Sequence, residues 1–271
     1  MKPFLDQNIL ITGGSSGIGK LMAETFAAEG ARVIVWGLER AALEAVDKEL
    51  SERGLRCETY LCDVSRRYSV YDTAKRVISE QGPIDILINN AGVVSGRPLL
   101  EISDSEIELT FGVNALAPIW TTRAFLPDMI ARGRGHIVTI ASAAGLIGAP
   151  RLTDYAASKH AAVGFDDALR AELNHLGHHG IRTTIVCPYF ISTGMFAGAS
   201  GATRLLPILT PEYATRQIVR AIRRGRRRLL LPRAVGVVFL ARLLPAPIFD
   251  WITRALGVTR SMDGFTGRRS G

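Results

Sequence analysis

A serine, a tyrosine and a lysine at fixed spacing are the residues of this chain best suited to acid–base chemistry. Ser142 is followed by Tyr155 thirteen residues later, and Lys159 lies four residues further on. Residues at i and i+4 share one helix face, so the Lys159 ammonium group is expected near the Tyr155 phenol. A nearby positive charge lowers the pKa of a phenol, which is ordinarily about 10. The triplet therefore predicts a tyrosine that exchanges a proton with a substrate, beside a serine that binds a substrate oxygen.

A second tyrosine–lysine pair shows that this spacing alone is weak evidence. Tyr71 and Lys75 have the same spacing in a polar helical stretch, but the residue thirteen positions before Tyr71 is Glu58. An exposed helical pair is the simpler interpretation there. A catalytic role for Tyr155 and Lys159 therefore has to be argued from the rest of the chain.

The elements that would position the triplet alternate between short apolar, β-branched runs and helical patterns. Strands are predicted over Asn8–Thr12, Arg32–Trp36, Glu58–Leu61, Ile84–Asn89, His136–Ile140, Arg182–Cys187 and, more weakly, Arg228–Leu231. Helices are predicted over Ile18–Glu29, Glu39–Arg53, Ser65–Glu80, Asp104–Ala131 and Asp154–Leu176. This alternation predicts an α/β fold, a doubly wound parallel seven-stranded Rossmann sheet with helices on both faces.

Length and composition favour one large globular domain. The chain has 271 residues, of which 47% are hydrophobic and 21% charged. We expect a catalytic domain over residues 1–232 and a basic, apolar extension over 233–271. The three cysteines have no disulfide-framework spacing, and the N-terminus resembles no signal peptide, so a cytoplasmic location is expected. No metal site is predicted.

The net charge of +8 belongs to the C-terminal part of the chain. Residues 216–271 contain thirteen arginines and two aspartates, which leaves residues 1–215 with a net charge of −3. The main body therefore has no basic surface that would favour nucleic acid.

A glycine-rich turn follows the first predicted strand. Thr12–Gly19 contains the candidate cofactor-binding residues Gly13, Ser15, Ser16, Gly17, Ile18 and Gly19. Glycines let the backbone turn tightly and approach a pyrophosphate, whose charge is stabilised by a helix N-terminus. A plain tight turn is the alternative, but the position between a strand and a helix favours nucleotide binding.

Three further stretches lie where a nucleotide site would need them. Asp63, followed by Val64, ends the third strand and is placed to accept a hydrogen bond from an adenine amino group. Asn89, Asn90, Ala91 and Gly92 end the fourth strand, where small residues would let a dinucleotide pass, and Asn114 is a polar residue in an apolar helical stretch. A turn residue or a hydrogen-bonded core amide is the alternative for each.

Together these residues resemble the short-chain dehydrogenase/reductase family over roughly residues 6–232. The phrases CPYFISTGMF and SMDGFTGR look like the branch of retinol, long-chain-alcohol and 17β-hydroxysteroid dehydrogenases. The resemblance implies hydride transfer with Tyr155 as general acid or base, Lys159 lowering its pKa and binding the nicotinamide ribose, and Ser142 polarising the substrate oxygen. It implies that Asn114 holds a water that links Lys159 to solvent. A catalytically idle nucleotide-binding scaffold with this fold is the alternative.

The resemblance also implies cofactor contacts after the sixth strand, at Pro188, Ile191 and Thr193. Tyr189 departs from the family, which usually has glycine there. The choice between NADP and NAD is nearly balanced, because the end of the second strand carries Gly37 instead of an acid, which favours NADP slightly. Glu39 or Arg40 could also reach the ribose from the start of the next helix, where Glu39 would favour NAD and Arg40 would favour NADP.

A mobile substrate lid is expected over about residues 194–211, and its small and apolar residues predict a lipophilic alcohol, aldehyde or ketone as the substrate. Candidate pocket residues are Met195, Phe196, Leu205, Leu206, Ile208, Val93, Val94 and 144–146. The family implies a homodimer or homotetramer, in part through small residues on the helix that carries Tyr155. Three interpretations of the extension are open. It could pack on the core or a subunit, or it could contact a membrane surface. Nucleic-acid binding is the least favoured of the three.

Overall fold

Seven parallel strands form one sheet within residues 3–201, 203 and 206–267, which the computed structural model describes. The strands are β1 (Asn8–Thr12), β2 (Arg32–Gly37), β3 (Cys57–Leu61), β4 (Ile86–Asn89), β5 (Gly135–Ile140), β6 (Ile181–Pro188) and β7 (Arg228–Leu231). Their order is β3-β2-β1-β4-β5-β6-β7. The predicted doubly wound Rossmann sheet is confirmed.

Helices cover both faces of this sheet. They are α1 (Gly17–Ala28), α2 (Arg40–Glu52), α3 (Arg67–Gln81), α4 (Asp104–Phe111), α5 (Ala117–Ala131), α6 (Thr153–His175), α7 (Pro211–Arg223), α8 (Val237–Ala241) and α9 (Ala246–Ala255). Alternate strand residues point to opposite faces, so Ile9 and Ile11 pack with α1, α2 and α7, whereas Leu10 packs with α3, α5 and α6. Both faces are apolar because both are covered.

The single helix expected over residues 104–131 is divided in three. A π-helical turn, Gly112–Leu116, separates α4 from α5. Pro118, in the first turn of α5, has no N–H to donate to the carbonyl of Asn114 four residues earlier, so one α-helical hydrogen bond is absent at this point. Such turns often lie at functional sites, and this one contains Asn114.

Two helical regions differ from the sequence prediction. Helix α7 was not predicted, although Thr210 caps it by accepting a hydrogen bond from the Tyr213 N–H at 3.3 Å and Pro211 occupies its first turn. The extension after β7 forms two short helices, α8 and α9, and α9 begins directly after Pro245. None of the described helices is both long and apolar enough to cross a membrane.

The topology places a crevice at the carboxyl edge of the sheet. Strand β1 lies between β2 and β4, so the chain leaves β1 and β4 toward opposite faces. Loops that diverge in this way leave an opening, where ligands bind in open α/β sheets. Ser142 follows β5 at this edge, and α6 brings Tyr155 and Lys159 to it.

Candidate active site

A cleft of about 460 Å³ opens at this edge, and the residues predicted to bind a cofactor line it. They are Gly13, Ser15, Ser16, Gly17, Ile18, Gly19, Asp63, Val64, Asn90, Ala91, Gly92, Tyr155, Lys159, Pro188, Ile191 and Thr193. Ser142 lines the same cleft. Residues from the ends of five strands thus meet in one place, as a parallel sheet requires.

The glycine turn at one end of the cleft is closely packed. A Cβ at Gly19 would lie 2.3 Å from the Gly13 carbonyl oxygen and 2.6 Å from Asn90 Nδ2, so only glycine fits. The Asn90 side chain donates to the carbonyls of Thr12 and Gly13 at 2.9 and 3.1 Å. Helix α1 begins at Gly17 and directs its N-terminus at the cleft, an arrangement that suits a pyrophosphate. The turn therefore fits a dinucleotide.

Strands β2 and β3 are neighbours that end on the same side of the cleft as this turn. Asp63 lines the cleft, and its Oδ1 accepts hydrogen bonds from the Ser65 N–H at 3.0 Å and the Ser65 hydroxyl at 2.6 Å. Leu38 and Glu39 also line the cleft, whereas Arg40 is not among the described residues that do. Gly37 is tightly enclosed, since a Cβ there would lie 3.0 Å from Ser15 Oγ. Glu39 is thus the charged side chain that lines the cleft directly after the end of β2.

The predicted triplet converges in the middle of the cleft. Ser142 caps a short turn by accepting a hydrogen bond from the Ala144 N–H at 3.1 Å, and its hydroxyl lies beside the Tyr155 phenol. Lys159 Nζ lies 5.7 Å from the Tyr155 ring centroid and donates to the Ile140 carbonyl at 3.0 Å. All three side chains are buried. In contrast, Lys75 is exposed on α3, as expected for the second tyrosine–lysine pair.

Asn114 lies behind the cleft and joins three elements. Its Oδ1 accepts from the Val93 N–H at 3.0 Å, and its Nδ2 donates to the Val93 carbonyl at 2.9 Å and to Ser158 Oγ at 3.1 Å. A Cβ at Gly92 would lie 3.4 Å from Asn114 Oδ1 and 3.6 Å from Lys159 Nζ. Asn114 therefore lies close to Lys159, and its amide holds the loop after β4 against α6.

Burial dominates the protonation of the two catalytic candidates. It raises the pKa of Tyr155 to about 12, and the hydrogen bond with Ser142 acts in the opposite direction. Burial lowers the pKa of Lys159 to about 8. The pKa of Tyr155 thus moves opposite to the direction expected from its lysine neighbour, because desolvation of the phenolate dominates in the protein by itself.

Aromatic side chains form the other end of the cleft. The Phe196 ring packs edge-on against Tyr155, with centroids 5.6 Å apart, and lies 4.9 Å from the ring of Phe190. Met195 and Tyr189 also line this end. Apart from the triplet, the walls here are apolar.

The residues predicted to line the substrate pocket lie in different parts of the structure. Met195, Phe196 and Val93 line the cleft, and Val94 and Ala144 pack in the cluster around Tyr155. Leu146 and Leu206 pack instead in a neighbouring cluster, and Ile208 is 40% exposed. Gly145 supports the fold, since a Cβ there would lie 2.6 Å from the Lys159 carbonyl oxygen. Leu205 lies outside the described residues.

Sequence reasoning missed several residues of the cleft wall. They are Trp36, Ala42, Cys62, Leu109, Val113, Ile140 and Ala141. Val113 and Ala141 are direct neighbours of Asn114 and Ser142, and this adjacency could have found them. Leu109 had no such signal, because only the packing of α4 brings it to the cleft. No group of three or more metal-ligating side chains occurs among the residues described.

This site defines a Rossmann-type oxidoreductase, and comparisons with known proteins agree. A family model described as short chain dehydrogenase matches residues 7–203. Mouse epidermal retinol dehydrogenase 2 is 45% identical over 264 residues, which are 96% of this chain and 85% of that protein. Human retinol dehydrogenase 10 is 39% identical, over 99% of this chain and 87% of that protein.

Solved structures share the fold. A short-chain dehydrogenase/reductase from Burkholderia phymatum in complex with NAD is 27% identical, with a TM-score of 0.81 over 90% of this chain and 95% of that chain. A metagenomic short-chain oxidoreductase in complex with NADP is 31% identical, with a TM-score of 0.69 over 82% of this chain and 91% of that chain. The chain belongs to the short-chain dehydrogenase/reductase family and is an NAD(P)-dependent oxidoreductase.

The burial of Lys159 predicts a pH-dependent cost to stability. Its charged form is penalised in the fold by up to about 3 kcal/mol, from the shift of its pKa to about 8. Lys159→Met removes this penalty and loses one hydrogen bond, worth about 1–2 kcal/mol. We therefore expect a net gain in the free energy of unfolding at pH 7, measured by urea denaturation.

The sign of the pH dependence follows from the same shift. The folded state releases the proton at lower pH than the unfolded chain, so the gain is complete below pH 8 and shrinks as the pH rises toward 10.5. Lys75→Met, which removes an exposed lysine, serves as the control and should change stability little at any pH. A loss of stability for Lys159→Met at pH 7 would contradict the prediction.

Proposed function

We propose that this chain interconverts a lipophilic alcohol with its aldehyde or ketone and uses a nicotinamide cofactor. One observation carries the proposal: Ser142, Tyr155 and Lys159 line one cleft together, where its glycine-lined end meets its aromatic end. A carbon bearing oxygen at this junction would have a proton-exchanging group on one side and the cofactor on the other. When bound, the cofactor supplies or removes the hydride and, in its oxidised form, adds a positive charge.

The proposed roles follow from chemical type and position. Tyr155 gives the proton to the substrate oxygen in reduction and takes it in oxidation, and Ser142 donates a hydrogen bond to that oxygen. Lys159 uses one of its three N–H donors on Ile140, which leaves two for a ribose and for a water held near Asn114. Burial holds the pKa of Tyr155 at about 12. A second positive charge beside Lys159, such as that of the oxidised cofactor, is therefore needed before Tyr155 can exchange a proton near neutral pH.

The substrate class is supported by the aromatic end of the cleft. Phe196, Phe190 and Met195 offer apolar contact, and no charged side chain other than Lys159 is found among the described residues at this end. Such a wall favours a hydrocarbon or polyene chain over a sugar or an acid. Several relatives are named retinol dehydrogenases, which supports a retinoid-, steroid- or long-chain-alcohol-like substrate.

Glu39 changes the argument on the cofactor. Gly37 alone favoured NADP slightly, because it removes a carboxylate that would repel a 2′-phosphate. Glu39 supplies a carboxylate on the cleft wall, where it can accept a hydrogen bond from a ribose 2′-hydroxyl. We therefore propose a preference for NAD over NADP.

Small residues on α6 support a homodimer or homotetramer. Ala157, Ala161 and Gly164 are exposed and would let another helix approach closely, whereas Ala156 is already buried within its own chain. Sedimentation velocity without detergent measures the assembly directly.

The surface of α8 and α9 supports contact with a membrane. Leu240, Leu243 and Trp251 are 70%, 81% and 68% exposed, and arginines 233, 242 and 254 lie on the same extension. Exposed apolar side chains beside arginines suit the boundary of an anionic lipid surface. We propose a cytoplasmic enzyme held peripherally at such a surface, which agrees with the three free cysteines. Packing against a subunit is the alternative for this surface, and no nucleic-acid role is proposed.

Removal of the Tyr155 hydroxyl tests the reaction. Tyr155→Phe should lower kcat by about a hundredfold to ten-thousandfold while NAD affinity stays close to that of the wild type, because only the proton donor is lost. Hydride transfer is followed as NADH absorbance across a panel of lipophilic alcohols and ketones. Tyr71→Phe is the matched control and should keep full activity. If the wild-type chain turns over no member of the panel, the idle scaffold is the better description.

The proposed role of Glu39 predicts the cofactor preference. The wild-type chain should bind NADH more tightly than NADPH, and Glu39→Gln should reduce this difference about tenfold by removing the carboxylate that repels a 2′-phosphate. Calorimetric titration of both cofactors measures the change. Glu44→Gln, an exposed acid on the same helix, should leave the ratio unaltered. Tighter NADPH binding by the wild type would restore NADP as the cofactor.

Co-sedimentation with vesicles tests the membrane surface. The chain should pellet with anionic phosphatidylserine vesicles, less with neutral phosphatidylcholine vesicles, and less again after Leu243→Glu, since a charge in the contact face opposes insertion. Leu100→Glu replaces an exposed leucine of the main body and should pellet like the wild type. Equal pelleting of Leu243→Glu and the wild type would refute the contact.

A further inference from the structure

Residues 258–267, named here the C-terminal segment, return from α9 to the carboxyl edge of the sheet. The Ser200 N–H donates to the Ser261 carbonyl at 2.9 Å, and the Thr266 N–H donates to the Ala197 carbonyl at 2.8 Å. Arg151 Nη1, in the loop before α6, donates to the carbonyls of Met262 and Asp263 at 3.3 and 3.2 Å. The segment is therefore bonded to residues 197–200, within the expected lid, on one side and to the loop before α6 on the other.

Two side chains of the C-terminal segment reach the cluster around Tyr155. Met262 is 1% exposed and belongs to the same cluster as Tyr155, Leu152 and Phe190. The Phe265 ring centroid lies 6.5 Å from that of Phe196, which itself packs on Tyr155. A single aromatic ring thus separates Phe265 from the candidate catalytic phenol.

Glycines occur where the C-terminal segment meets the rest of the chain. A Cβ at Gly96 would lie 1.9 Å from Phe265 Cε1, so any larger residue at position 96 would collide with the Phe265 ring. A Cβ at Gly198 would lie 1.9 Å from the Gly264 carbonyl oxygen. Both residues also have positive φ angles, +68° and +80°, which favour glycine. Glycine at these two positions therefore lets the loop after β4 and the expected lid approach the C-terminal segment closely.

We propose that Phe265, supported by Met262, is the far wall of the substrate site and limits the length of the apolar chain that the enzyme accepts. Phe196 lines the cleft beside Tyr155, and Phe265 packs behind Phe196, so a longer substrate that moves Phe196 aside would meet Phe265 next. The bulk of this ring sets the depth of the pocket. The inference rests on the proposed function, because it concerns the substrate of the same site.

A homologous series of straight-chain primary alcohols tests this wall. The readout is the ratio of kcat/KM for long members to kcat/KM for short members, with NAD saturating. Phe265→Ala should raise this ratio about tenfold or more. Removal of the ring would let further methylenes of a long alcohol enter the pocket, and each buried methylene favours the long alcohol over the short one. Phe265→Leu, which removes less volume and disturbs the fold less, should raise it by a smaller factor. A ring that only stabilises the fold would lower kcat/KM for all chain lengths alike.

Controls separate a local effect from a general one. Phe239→Ala removes the same side chain from an exposed position on α8 and should leave the ratio at the wild-type value. NAD affinity, measured by calorimetry, should be unchanged in all three variants, which verifies that each is folded. If Phe265→Ala fails to bind NAD, Phe265→Leu carries the test.

An unchanged ratio in a folded Phe265 variant would overturn the inference. Inactivity of the wild type on the whole series would instead count against the proposed function. In that case, binding of the same alcohols to the NAD complex, measured by calorimetry, still reports chain-length preference. A shift toward longer alcohols in Phe265→Ala then supports the wall, and identical preference refutes it.

Discussion

The hydrogen bonds between Thr12 and Asn90 hold together the point on which the whole site depends. Strands β1 and β4 are neighbours whose chains leave toward opposite faces of the sheet, and this divergence creates the cleft. The Thr12 hydroxyl accepts from the N–H groups of Asn90 and Ala91 at 3.0 and 3.1 Å, while the Asn90 side chain donates back to the Thr12 carbonyl. These bonds extend the pairing of β1 and β4 into the glycine turn and the Asn-Asn-Ala-Gly turn, and they hold the two turns against each other.

The candidate catalytic groups are kept at a cost to the fold. Tyr155 and Lys159 are buried, and burial disfavours the charged form of each, which is opposite to what catalysis requires of the phenol. Asn114 lies in a π-helical turn that interrupts the longest predicted helix. Departures from regular, apolar packing thus collect in one place, as is common at functional sites, where the chemistry needs them.

Local patterns predicted most of the elements because apolar periodicity and glycine turns act over short distances. The seven strands were located within a few residues, and the cofactor-binding residues line one cleft as expected. Helix α7 was missed even though Thr210 and Pro211 mark its start. The break at Asn114 was not predicted, although Pro118 removes one hydrogen-bond donor there.

Ordered motifs in the sequence alone determined the fold and the family and predicted the candidate catalytic residues, because each depends on residue type at a fixed spacing. Only the tertiary structure decided which distant side chains pack around Tyr155. Phe265 is more than a hundred residues from Tyr155 in the chain, and no short pattern connects it to Gly96 or Phe196. Likewise, Glu39 and Arg40 are adjacent in sequence, and only the orientation of the chain after β2 brings Glu39 to the cleft wall. These choices depend on packing between distant segments, which spacing along the chain does not encode.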